Sequence, residues 1–444
     1  MTKIQFIQAD AMPRLPIGKL QTMLLAVFFL SACSNRIHTS YLQDAPMGQN
    51  LKLSSACGDF NNYAPDLANP SHTPMRYVRV NFHIMRDSAG TINFDESTGV
   101  EFVKGLLADA NQRLRDNRKM SLPEGNNTPA LPMRYQYVLT PNPAVPDDDG
   151  IYFHYDNTFA FFDKKSPKKN ALAQGAFEKY KTLDGSALNI FMFEHHPDSI
   201  KSSTYKSSTD GAGLSNWLRV IGLHQHAFDT VRQADGTLLI NGPYYTTNLL
   251  QHEIGHTLGL AHTWNANDGC DDTPQNPGCW DHNSTPCKET GIYSNNMMDY
   301  NNCQCALTPC QLAKIHYNFS KEKASQRKLL EPVWCSYKPE ATITINWAQK
   351  IIWNSSKDLE GDLLIANGAE LTIQCEVSLP KGAKIIVKPK GKLILDGAKI
   401  TNKCGEQWEG IEIWSSQKNK GEVVYLGTPV FENTKNTPYF QEKE

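Results

Sequence analysis

The chain has 444 residues, 40% of them hydrophobic and 20% charged, which excludes a wholly disordered protein. Single cores rarely grow past about 250–300 residues, so this length predicts two or three domains. With 44 Lys and Arg against 46 Asp and Glu, the net charge of −2 supplies neither a basic patch for nucleic acid nor an acidic tail.

Residues 1–33 read as a signal peptide: Lys3, Arg14 and Lys19 precede the apolar run Met23–Leu30, and Ser31 and Ala32 are small. The run is too short to span a bilayer. Leu30-Ser31-Ala32-Cys33 resembles the lipobox of bacterial lipoproteins, which implies a lipid on Cys33, a membrane anchor through it, and a place at the outer membrane or cell surface. The other reading is an ordinary secretory signal with Cys33 incidental, and the long n-region also allows a start at Met12. Both export the protein, and an exported chain can oxidise its cysteines. Of eleven cysteines, Cys33 set aside leaves ten; six lie from Cys270 to Cys310, as a stapled loop or a second metal site, and without a clean CxxC pair disulfides are the favoured reading.

From 34 to 75 the sequence is polar and without period, a tether or short pro-segment. Tyr77–Ile84 alternates as a strand, Val100–Leu114 carries apolar residues at helical spacing, and Met133–Leu139 and Ala187–Phe193 are further strands. Trp217–Leu223 reads as an edge strand. Strands and helices in this order predict an α/β (α+β) domain over 76–335 with helices packed on a twisted sheet. After Cys335 come short strands opened by glycine, at Gly368–Ile373, Gly382–Val387, Gly391–Leu395 and Gly397–Thr401. This β-rich region, 340–444, reads as the start of a parallel β-helix, with a small β-sandwich as alternative.

Residues 252–262 read His-Glu-Ile-Gly-His-Thr-Leu-Gly-Leu-Ala-His. On a helix, the i, i+4 spacing puts His252 and His256 on one face, able to reach one ion, with Glu253 beside them free to touch a metal-bound water. Gly259 permits the sharp turn that brings His262 in as third ligand. Three neutral imidazoles leave a coordination position open, the arrangement of a catalytic Zn²⁺.

HExxHxxGxxH is the signature of the metzincin metallopeptidases, and Ser294–Tyr300 resembles their Met-turn. The resemblance implies Met298 as the hydrophobic base beneath the histidines, with Met297 as competing candidate, and Tyr300 as a group facing the zinc that helps hold the oxyanion. Within metzincins the chain is similar to the pappalysin and cytophagalysin group over about residues 76–320, on His262-Thr263-Trp264, Cys270-Asp271-Asp272-Thr273-Pro274 and Asn296-Met297-Met298-Asp299-Tyr300. Carried over by position, that likeness implies disulfides Cys270–Cys287 and Cys279–Cys305, with Cys303 and Cys310 left for a third bridge. It also suggests Asp271, Asp272 and Thr273 as ligands of a structural Ca²⁺, beside which a solvated acidic loop stands as an equal reading. Cys303 stands where relatives that cleave beside arginine can place an acidic residue, so specificity for basic residues is not implied.

Two further readings concern residues outside the motif. Cys57 is either a thiolate cap on the zinc or half of a disulfide, and the even count favours the disulfide. His224 and His226 suit a second metal only if carboxylates join them. The function expected is a zinc endopeptidase acting on protein or peptide substrates, in which Glu253 takes the proton of the attacking water and hands it to the leaving amine. The alternative is a surface adhesin or glycan-binding protein that uses the β-rich region and cleaves nothing.

Overall fold

Alternating apolar residues make Arg76–Arg86 (β1) an interior strand of the sheet, buried along nearly its whole length. Glu96–Arg115 (α1) packs against it. Asp95 caps that helix by accepting from the Thr98 N–H at 2.8 Å, and Phe102, Val103, Leu106, Leu107, Ala110 and Leu114 form its buried stripe. These elements belong to a computed structural model that describes residues 37–43, 54–203, 208–214, 216–227, 230–232, 238–240, 246–264, 268–276, 278–281, 287–301 and 303–436. Residues 1–33, read above as a signal peptide, lie outside the described residues.

Six more strands and three more helices complete the framework of the site: Tyr135–Leu139 (β2), Ile151–Tyr155 (β3), Phe161–Phe162 (β4), Lys169–Tyr180 (α2), Leu188–His195 (β5), Asp210–Leu214 (β6), Trp217–Ile221 (β7), Thr247–Thr257 (α3) and Pro309–Ser320 (α4). The strand order is β2-β1-β5-β7-β6, with β3 also on β1 and β4 on β5. Every pairing is parallel except β6 on β7. The main core, from Val78, Val80, Phe82 and Ile84 through Leu250 and Ile254 to Leu312 and Ile315, lies between the sheet and α1, α3 and α4.

The strand Trp217–Ile221 was expected at the sheet edge and is instead interior, because β6 pairs outside it from Asp210↔Ile221 to Leu214↔Trp217. That edge strand, Asp-Gly-Ala-Gly-Leu, has too much glycine to announce itself, and it exists by virtue of its partner.

Beyond Cys335 the chain coils through three parallel ladders, each strand stacking on its counterpart in the preceding turn. Ile343, Leu363, Ile385 and Ile411 stand in register in one ladder, and Trp353, Ile373, Leu395 and Tyr425 in another. The third carries Val377, Ile400 and Phe431, with Lys357 at its base. These columns form a second core.

The polar segment read as a tether or pro-segment is folded where described. His38–Tyr41 pairs antiparallel with Gly410–Ser415, and three 3-10 turns at Ser55–Gly58, Phe60–Tyr63 and Pro70–His72 dock against α4 and the coil. Such turns carry no period that a sequence pattern reveals. Cys57 is disulfide-bonded to Cys375, so it is no thiolate cap on the metal site. A second disulfide, Cys335–Cys404, joins the end of the first region to the coil.

Between the two regions lies Asp358, 3% exposed and ringed by cations. Arg327 Nη1 donates to its Oδ2 at 2.7 Å, Arg76 Nη2 donates to its backbone carbonyl at 3.1 Å, and Lys403 Nζ lies 3.5 Å from Oδ1. Trp334 is covered by both guanidinium groups, at 5.4 and 4.5 Å from its ring centroid.

Candidate metal centre

Helix α3 presents His252, Glu253 and His256, and stops at Gly259, whose φ of 101° is open to glycine at little cost. Asn318 Nδ2 on α4 donates to the Leu258 carbonyl at 3.0 Å, which satisfies one of the orphan acceptors at the helix end. The chain then returns with His262. The three Nε2 atoms form a triangle with edges of 3.1, 3.2 and 3.0 Å.

Their protonation follows from the other ring nitrogen. His252 Nδ1 donates to the Met297 carbonyl at 2.9 Å and His256 Nδ1 to the Leu260 carbonyl at 3.0 Å, which leaves both Nε2 atoms as lone pairs. Burial, with the charge of a neighbouring His256, pushes His252 down to about 3 and His262 to about 4, so both rings are neutral near pH 7. Converging lone pairs repel, and a cation at their centre removes the repulsion. Tetrahedral Zn²⁺ with Zn–N bonds of about 2.0–2.1 Å separates its nitrogens by little more than the observed edges, so the residues present fit zinc.

The Met-turn lies beneath. Met297 and Met298 are fully buried, and a Cβ placed on Gly255 would meet Met298 Sδ at 2.5 Å, so it is Met298 that underlies α3 while Met297 lends its carbonyl to His252. The turn is held by Asp299, wholly buried, which accepts from Thr263 Oγ1 and Ser294 Oγ and, at 2.9 Å, from Asn276 Nδ2. Gln304 adds donors to the Asp299 and Met297 carbonyls at 2.6 and 3.4 Å. The sequence reading singled out neither Asp299 nor Gln304 as a site residue. Asp299 stood inside the Met-turn motif, whereas Gln304 carried no signal at all.

Glu253 is nearly buried against β6. A Cβ on Gly211 would come within 2.5 Å of its Cγ, and one on Gly213 within 2.8 Å of its backbone oxygen, so the glycines that conceal β6 in the sequence are what let it pass this close. Burial raises the Glu253 carboxyl to about 7, with Asp210 adding repulsion, against the Gly213 N–H and Arg219. Tyr300 is 59% exposed, so it is not a core residue. Its ring stands 5.6 Å from that of His252 and 5.4 Å from that of His262, packed on Trp264, which itself stacks on His262 at 3.8 Å. His252, Glu253, Tyr300, Asp210, Gly211 and Gln304 line one open cleft of 430 Å³.

The disulfides differ from those the resemblance implied. Cys270 pairs with Cys310, Cys279 with Cys287 and Cys303 with Cys305. The first follows from α4, whose first turn sits against the 268–272 loop, where Asp272 Oδ2 accepts from the Cys310 N–H at 3.0 Å. That bond engages one oxygen of Asp272, and Thr273 Oγ1 lies 3.0 Å from the Cys270 carbonyl; among the described residues Asp271, Asp272 and Thr273 do not gather as a group of metal-holding side chains of their own. Among the described residues, side chains able to hold a metal gather in two places, the three histidines and Cys270–Asp272–Cys310, whose cysteines are already bonded to each other. His224 and His226 join neither group.

Residues 200–319 match the model of a peptidase family described as pregnancy-associated plasma protein-A. No curated protein matches the chain. Among solved structures it is similar to mirolysin in complex with compound 9, at 17% identity over 58% of this chain and 96% of that one, with a TM-score of 0.38. It is also similar to Tannerella forsythia mature mirolysin in complex with a cleaved peptide, at 17% identity over 57% and 95%, with a TM-score of 0.35.

Proposed function

We infer that this metalloendopeptidase, a member of the pregnancy-associated plasma protein-A peptidase family through residues 200–319, cleaves peptide bonds with zinc held by His252, His256 and His262 and with Glu253 moving the protons. The observation that carries the reading is the convergence of the His252, His256 and His262 Nε2 atoms, 3.0 to 3.2 Å apart, beside the buried Glu253 carboxyl. Bound zinc would supply an acidified water and polarise the scissile carbonyl. Glu253, poised near neutrality, takes the proton from the attacking water and delivers it to the leaving amine. The Tyr300 hydroxyl, on the same cleft, donates to the oxygen that becomes negative in the tetrahedral transition state. Met298 and Asp299 are positioning residues: one underlies α3, the other clamps the turn whose carbonyl orients His252.

The signal-like residues 1–33 support export, and the lipobox-like Leu30–Cys33 supports an anchor through a lipid on Cys33. The ladders of 340–444 support reading that region as the opening turns of a parallel β-helix that follows a catalytic region of 76–335. The test is zinc content and casein cleavage of the exported chain and of Glu253→Ala. One zinc per chain in both, with cleavage only in the unaltered protein, is the expected result; no zinc bound would overturn the assignment.

A further inference from the structure

A partly open cavity of about 150 Å³ lies away from the metal site, where the 62–76 segment, the end of α4 and the first turn of the coil meet. One buried water needs roughly 10–15 Å³ of such space, so the cavity holds far more than a bridging water. Drug-sized ligands occupy roughly 300 Å³ or more, which excludes a peptide or a large cofactor.

Its walls are short of acceptors. Arg76 is 6% exposed and its Nη1 has no partner, and Trp353 is 2% exposed and its Nε1 has none. Lys357 continues inward the column that Val377, Ile400 and Phe431 fill with apolar side chains in later turns. A lysine there has no packing reason, and among the described residues no carboxylate lies within ion-pair distance of its ammonium, which has only the Trp353 ring at 5.4 Å. Burial, then the nearby Arg76, pushes it down to about 8. Two carboxylates border the cavity, and both are engaged elsewhere. Asp66 accepts from the Ala68 and Asn69 N–H groups and from Asn69 Nδ2, at 2.8, 3.0 and 3.0 Å. Asp358 is bonded to Arg327 through Oδ2, and its Oδ1, though without a hydrogen bond, faces Lys403.

Buried donors without acceptors cost about 1–3 kcal/mol each, more when charged, and are rarely left so. We propose that this cavity is a binding site for a small tetrahedral oxyanion of the phosphate or sulfate type, held by Arg76 Nη1, Trp353 Nε1 and the Lys357 ammonium. The donors come from β1 on one side and the coil on the other, so a ligand must offer oxygens in several directions, which a planar carboxylate does not. The bound anion would tie the catalytic region to the coil.

The test uses the full exported chain and inorganic phosphate, with sulfate and acetate as comparison anions and chloride holding ionic strength constant. The unfolding temperature is followed by calorimetry as each anion is added. A saturable rise with phosphate and sulfate, with acetate much weaker, is expected. Trp353→Phe removes only the N–H, and Lys357→Met keeps the apolar stem; each should weaken phosphate at least roughly tenfold, one charge-assisted hydrogen bond being worth that much. If either variant is already unfolded in chloride, the other decides. No saturable rise, an equal response to acetate, or an undiminished response in the folded variants would overturn the proposal. Phosphate versus sulfate preference then identifies which anion the site favours.

Discussion

Replacing Asp358 by Ala should destabilise the whole molecule, although the residue lies far from the zinc site in the chain. Burial alone would raise this carboxyl, but Lys403, Arg327 and Arg76 outweigh it and hold it down to about 2. Against an unfolded value near 3.9, that depression corresponds to about 2–3 kcal/mol of stability at neutral pH. The substitution also leaves Arg76 and Arg327, 6% and 8% exposed, without their counter-ion. Removing one partner of a buried pair costs about 3–5 kcal/mol, and we expect a loss in that range. Guanidinium unfolding of the oxidised chain, followed by tryptophan fluorescence, measures it for the unaltered protein and for Asp358→Ala. Because the folded pKa is depressed, the contribution is fully present above the unfolded value and fades as pH falls from about 4 through about 2. The two unfolding midpoints should therefore converge over that window. A difference below about 1 kcal/mol at neutral pH would mean that the cluster behaves as a solvated surface pair and does not hold the two regions together.

Three further outcomes follow from the same geometry. Tyr300→Phe should lower kcat by roughly 10²-fold with zinc content unchanged, the loss of one oxyanion donor; steady-state kinetics beside metal analysis checks it. Gly211→Ala should cut activity at least tenfold with little change in zinc content, because the added methyl collides with Glu253 Cγ and displaces the strand or the carboxylate; kcat on a peptide substrate, with metal analysis, reads it. His316 is buried, with Nε2 on the Met133 carbonyl at 2.8 Å, and burial lowers it to about 4. The unfolded chain takes up this proton near pH 6.5 and the folded chain does not, so stability should fall from pH 6.5 toward 4; His316→Gln should flatten that limb in calorimetric scans, whatever it costs at pH 7.

The three converging histidines were legible in the sequence because their geometry is local. An i, i+4 pair on a helix and a glycine that ends the helix determine where His252, His256 and His262 go before any tertiary contact forms, and Glu253 is carried with them. The main strands and α1 were legible for the same reason, their periodicity being written along one stretch of chain. Tyr300 and Met298 were placed by likeness to a family motif, and the structure sets them over and under the histidines. Other features needed residues far apart in sequence to meet. The strand Asp210–Leu214 exists only by pairing with Trp217–Ile221, and its glycines make sense only against Glu253. Cys57 finds Cys375 and Cys335 finds Cys404 because the coil folds back on the catalytic region, and cysteine connectivity has no local signature. Asp358, Arg76, Arg327 and Lys403 read singly as ordinary surface charges. Only the packed structure removes water from them, and with the water gone their mutual attraction becomes strong enough to hold two regions together.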